Sequence, residues 1–119
     1  MRRDALLLEE IITAAERATS IATRHSTESL EINPDAHDAL LWNLTIVGEA
    51  VGQLTDAVRL SFPAIPWNHP VRLRNRIVHG YWSVDLELIR DVALTDLPGF
   101  ADALRPILES MPTQSWREP

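Results

Sequence analysis

The chain has 119 residues, no cysteine and a formal net charge of −6. That length suits one domain with a single core, and the lack of cysteine excludes a disulfide framework, a thiolate metal site and a cysteine nucleophile. No apolar run approaches the roughly 20 residues of a membrane span, and Glu9 and Glu10 interrupt the leucine run behind Arg2 and Arg3, against a signal peptide, so a soluble cytoplasmic protein is expected.

A first helix is predicted from about Asp4 to Arg24, where Leu8, Ile11, Ile12, Ala15, Ala18 and Ala22 recur at three- and four-residue steps. His25 to Asn33 is polar and reads as a connection. Asn33 then caps a second helix, with Pro34 in its first turn and Asp35 and Asp38 at the positive end of its dipole. Ala36, Leu40, Asn43, Val47, Ala50, Leu54 and Val58 trace its buried stripe. Gly48 and Gly52 each cost this helix about 1 kcal/mol relative to alanine, which implies that another backbone comes close to it.

Ser61 to Pro70 contains Pro63, Pro66 and Pro70 and reads as a rigid lead-in anchored by Trp67. Asn68 or His69 would cap a third helix beginning at Pro70, and Gly80 would stop it. Ser83 would cap the last helix, whose pattern runs through Leu86, Ile89, Ala93, Leu97, Phe100, Leu104 and Ile107. Pro98 falls inside that pattern and predicts a kink or break. From Ser110 the composition predicts a frayed tail, 110–119. The expectation is a single domain, 1–119, folded as an all-α antiparallel bundle of four or five helices.

The chemistry concentrates in Arg74-Asn75-Arg76-Ile77-Val78-His79-Gly80-Tyr81. On a helical wheel Val71, Leu73, Ile77 and Val78 form a broad apolar side, while Asn75 and His79 share a face with Arg72 beside them. Arg74 projects between Ile77 and Val78. An unpaired guanidinium is costly in a core, so Arg74 must reach toward Asn75 and His79, pair with a carboxylate, or meet a second chain. Imidazole moves protons near neutral pH and arginine presents a planar fork to phosphate, a combination suited to a phosphodiester. RNA carries its own nucleophile, the 2′-hydroxyl, so such a site needs no metal. The plainer reading is a structural ion pair at Arg74 and a helix-end histidine at His79. The four histidines, His25, His37, His69 and His79, lack metal-ligand spacing, so neither metal nor cofactor is expected.

The charge pattern is uneven. No acidic residue lies between Asp56 and Asp85, whereas Arg59, Arg72, Arg74 and Arg76 do. A basic patch on an acidic body suits one RNA segment better than general nucleic-acid coating.

Arg74-x4-His79-x-Tyr81 resembles the R-x4-H-x-Y motif of the HepT-like branch of the HEPN superfamily. Ile46-Val47-Gly48-Glu49-Ala50, Pro66-Trp67 and Asp96-Leu97-Pro98 are similar to its flanking signatures, so the resemblance covers essentially the whole chain. It implies a helical homodimer with metal-independent RNase activity, acting as a toxin. It also implies a partner, a minimal nucleotidyltransferase antitoxin that transfers AMP from ATP to the motif tyrosine. Carried over by residue, Arg74 and His79 would be catalytic, Asn75 the orienting polar residue, and Tyr81 the modification site. Glu49, Arg72, Arg76 and Trp82 are supporting candidates, and RNA, with tRNA a candidate, is the expected substrate. The alternative is a non-catalytic helical module that binds a nucleotidyltransferase or a nucleotide; a third reading is a purely structural helical dimer.

Overall fold

A computed structural model of the chain describes residues 2–112, and among these residues there are helices and turns but no strand. Four long helical passes build the bundle: α1 (Arg2–Arg24), α3 (Pro34–Gln53), α5 (Asn68–His79), and an arm made of α6 (Leu86–Asp91), a π-helical turn (Val92–Asp96) and α7 (Leu97–Ser110). Two short helices join them, α2 (Thr27–Ile32) and α4 (Asp56–Ser61). The shortest dimension is 22 Å, about two helix diameters, so every long helix keeps a face toward solvent. Among the described residues no helix is long and apolar enough to cross a membrane.

The core lies between α1, α3 and α7. Leu8, Ile11, Leu40, Leu41, Val51 and Leu104 are fully buried there. Asp4 is buried as well, accepting bonds from the backbone N–H of Thr55 at 3.0 Å and its hydroxyl at 2.8 Å. This ties the start of α1 to the turn between α3 and α4. Asn43 sits in the apolar stripe of α3, donating to the Ala39 carbonyl at 2.8 Å and leaving its own oxygen buried without a partner among the described residues.

Several expected boundaries hold. Asn33 caps α3 by accepting from Ala36 N–H, and Gly80 ends α5 with its N–H on the Arg76 carbonyl at 2.9 Å. Others move. The polar connection 25–33 contains α2, capped by Ser26 and pinned by the buried Leu30. α3 stops at Gln53, and Thr55 caps a separate α4, so Leu54 and Val58 belong to different elements. α5 starts at Asn68 with no side-chain cap, because the turn from Pro66 already runs into it and the first turn asks for no N–H from Pro70. Asp85, accepting from Leu88 N–H, caps α6; Ser83 instead closes the short 3₁₀ turn Tyr81–Ser83.

The break at Pro98 takes a specific form. Proline cannot donate to the carbonyl four residues back, and the chain widens into the π turn just before it. Thr19 of α1 donates to the Ala93 carbonyl in that turn at 2.8 Å. α7 then continues through Pro106 to Ser110. The fraying expected of the tail falls largely on residues 113–119, outside the described residues.

Trp67 is buried, with its indole N–H shared between the carbonyls of Arg59 and Phe62 and its ring edge-on to Phe100. It therefore fixes the start of α5 and is not free to stack on a base. The two glycines of α3 differ. A Cβ on Gly48 would collide with the Pro70 carbonyl oxygen and the Arg74 Cβ, whereas one on Gly52 would meet nothing. We expect Gly48→Ala to lower stability by about 1–3 kcal/mol, the usual cost of overpacking. Gly52→Ala should be neutral or stabilising by up to about 1 kcal/mol. Urea unfolding of the two variants beside the parent chain measures both.

Candidate active site

α5 reaches the body chiefly through α3. The contact is made over Gly48, so Arg74 is set down beside the next residue, Glu49. Arg74 Nε lies 3.1 Å from Glu49 Oε2, but its N–H is not aligned for a hydrogen bond and the buried nitrogen has no other partner among the described residues. Arg74 Nη1 donates to Asn75 Oδ1 at 3.0 Å. The stem thus leaves from the α3 side and the head bends round toward the Asn75 face. Of the routes open to this residue, it takes two: a carboxylate and the Asn75 side.

The ion pair is partly solvated, with Glu49's side chain 54% exposed. Pairs of that kind contribute about 0–1 kcal/mol, so Glu49 can yield Arg74 to a stronger anion at little cost. The guanidinium has five donors, and the bonds above leave several for a phosphate.

His79 is exposed at the end of α5, and its imidazole makes no hydrogen bond among the described residues. It is four residues from Asn75, on the same face, but five from Arg74, about 140° around the axis. Asn75 is the link: it holds the arginine head on the side where the imidazole stands.

Tyr81 opens the 3₁₀ turn after Gly80 and folds back on α3. Its hydroxyl donates to Asp38, whose carboxylate also meets His37 Nδ1 at 2.9 Å. The Tyr81 ring is edge-on to His37 and to Trp82, and Trp82 itself is 95% exposed. Burial, and then the bond to Asp38, push the phenol up to about 12. The same bond, and then His37, hold Asp38 below the usual carboxylate range. Sequence reasoning gave Asp38 only a dipole role and His37 none; they lie 43 and 44 positions before Tyr81, and nothing local in the chain links them.

Arg72 and Arg76 are exposed, have no acidic partner among the described residues, and lie on the side of α5 away from Glu49. They do not join the Arg74–Glu49–Asn75 group. Among the described residues no three His, Asp or Glu side chains converge as a metal site would require.

A model of the family described as ribonuclease HepT-like matches residues 11–107, a span that contains every side chain of this group. The chain belongs to the ribonuclease HepT-like family. Among its relatives, a Thermococcus cleftensis protein named "Probable ribonuclease HepT" is 26% identical over 91 residues, 76% of this chain and 83% of that protein. Two Methanocaldococcus jannaschii proteins are also similar. One, named "Putative RNase", is 27% identical over 73 residues, 61% of this chain and 60% of its own length. The other, named "Gamma-glutamylcyclotransferase and putative RNase", is 25% identical over 112 residues, 93% of this chain and 50% of its own length. The chain therefore spans only half to three fifths of those two relatives. No solved structure matches it.

This HepT-like chain has a single tyrosine, so phenolate absorbance titrates Tyr81 alone. The midpoint is expected near 12, and Asp38→Ala should bring it part of the way down to 10 because burial, the larger cause, remains. Stability from the neutral phenol is present below pH 10 and fades as pH rises toward 12. An unchanged midpoint in the variant would show that Asp38 does not hold the hydroxyl.

Proposed function

We propose that the chain is a metal-independent endoribonuclease that acts as the toxin of a toxin–antitoxin pair. The observation that carries the reading is the Arg74 head group, turned by Asn75 to the His79 face and only loosely paired with Glu49, in a chain of a ribonuclease family. His79 takes the proton of an RNA 2′-hydroxyl, whose oxygen attacks the adjacent phosphorus. Arg74 stabilises the charge that grows on the phosphoryl oxygens, and Asn75 holds it in place. The P–O5′ bond breaks, the 5′ oxygen takes up a proton, and the products are a 2′,3′-cyclic phosphate and a 5′-hydroxyl.

The reading includes a homodimer. Trp42, 65% exposed, lies two turns from Glu49 on the same side of α3. Val78 lies one turn from Arg74, and Trp82 adjoins Tyr81, both exposed. Exposed apolar side chains around a charged centre favour cover by another chain, and a two-fold contact there sets two copies of Arg74, Asn75 and His79 across one cleft. The second His79 is then available to protonate the 5′ oxygen.

Neutralisation falls to Tyr81. A minimal nucleotidyltransferase partner transfers AMP from ATP: the phenol oxygen attacks the α-phosphorus, pyrophosphate leaves, and Asp38 accepts the phenol proton. The adenylate then blocks the cleft by charge and bulk.

Purified unmodified chain should cut total RNA or tRNA without added metal. His79→Ala should lose at least about a hundredfold in rate, the scale of general acid–base catalysis, and Arg74→Ala a similar amount. Tyr81→Phe should still cut but take no label from ATP in the presence of the partner. Dimeric, unmodified protein that leaves RNA intact would turn the assignment to a module that only binds the nucleotidyltransferase.

A further inference from the structure

The far side of α5 borders a second feature. Because α5 rests on α3 and touches the α6–α7 arm only sparsely, an apolar trough of about 410 Å³ opens between them. Leu73 and Pro70 form one wall, Val92, Leu97 and Phe100 the other, and Leu44 and Val47 the floor. The volume is within the 300–1,000 Å³ typical of small-ligand sites. A second depression of about 260 Å³ shares Leu73, Arg76 and Leu88 with it and carries it on to Gly80 and Ser83, beside His79.

The polar groups of the trough are sorted by wall. His69, Arg72 and Arg76 stand along the α5 rim at helical steps that continue to His79, a basic stripe about 15 Å long. None of the three has an acidic partner among the described residues. Asp96 stands on the opposite wall at the end of the π turn, a feature often found at functional positions. Leu88 remains 41% exposed at the mouth. An occupant must therefore have a flat or apolar body, an anion for the α5 rim, and an N–H donor for Asp96. A purely apolar helix from a partner would leave the arginines unanswered, and a phosphate alone would leave the apolar floor empty.

We propose that this trough holds a nucleotide of the RNA strand that flanks the scissile phosphate. Its phosphate lies on Arg72 and Arg76, its base lies against Leu73, Leu88 and Phe100, and a ring or amino N–H of the base faces Asp96. The proposal rests on the RNase reading. It assigns the trough a task distinct from bond cleavage: choosing where along a strand the cut falls.

The test uses the full chain and an all-2′-O-methyl oligoribonucleotide, which cannot be cut, with binding read by fluorescence anisotropy. Leu88→Glu puts a carboxylate at the mouth and should weaken binding tenfold or more, while Leu88→Met should bind as the parent does. Arg72→Ala/Arg76→Ala should also weaken binding and lower the salt-dependence slope by about one. Equal binding by Leu88→Glu of parental circular dichroism and oligomeric state overturns the proposal, as does a change of oligomeric state in that variant with binding intact, which would assign the trough to a second copy. The two readings fail separately. Parent protein that binds the oligomer through the trough but never cuts the unmodified strand sinks the RNase reading and leaves the trough as a site for a nucleotide of a bound strand. Parent protein that cuts, with Leu88→Glu cutting at the same KM, sinks the trough alone.

Discussion

The arrangement depends on the missing side chain at Gly48. The Arg74 Cβ and the Pro70 carbonyl occupy the space that any other residue would fill. Close approach lets α5 pack on α3 along its length, and it fixes which residue of α3 stands opposite Arg74. Glu49 follows directly in sequence, so one glycine sets both the helix spacing and the carboxylate beside Arg74. Glycine inside a helix is unfavourable by about 1 kcal/mol, and here the cost is offset by packing that alanine would obstruct.

That contact divides the surface of α5 into three parts. One side is spent on α3. A second carries Asn75, Val78 and His79 outward, with the head of Arg74 bent toward them. The third carries Arg72 and Arg76 over the trough. The acid-free stretch from 57 to 84 therefore becomes a basic strip with direction, running along one helix toward the histidine, while the acidic residues that give the net charge of −6 lie elsewhere in the chain. An acidic body with one basic strip discourages indiscriminate binding of nucleic acid and orients a strand that does bind.

Much of this was legible in the sequence, and the reasons are local. Asn33 and Pro34 announce the start of α3 because capping is decided within one turn. The shared face of Asn75 and His79 follows from helical spacing, whereas Arg74 reaches that face only through its bond to Asn75. α2 was missed because a six-residue helix has too few apolar positions to show a period; only Leu30 marks it. The caps at Asn68 or His69 and at Ser83 failed because α5 already begins at Asn68, running on from the Pro66 turn, and Ser83 lies in the 3₁₀ turn after Gly80. The Gly48–Gly52 pair read alike in sequence, and only the crossing point of α5 tells them apart. Asp38 and His37 were invisible as partners of Tyr81, since the contact depends on the tertiary path of the chain between them.

Considered mechanically, α5 is a beam that rests on α3 and is also fastened at its two ends. Trp67, held by the carbonyls of Arg59 and Phe62, secures one, and the bond from Tyr81 to Asp38 secures the other. The first fastening is buried and has no exposed reactive group. The second is a phenol oxygen, and any group attached to it removes the proton that Asp38 receives. An anionic group there also sets like charges face to face. A group placed on that single oxygen would thus act on the seating of the helix that carries Arg74 and His79.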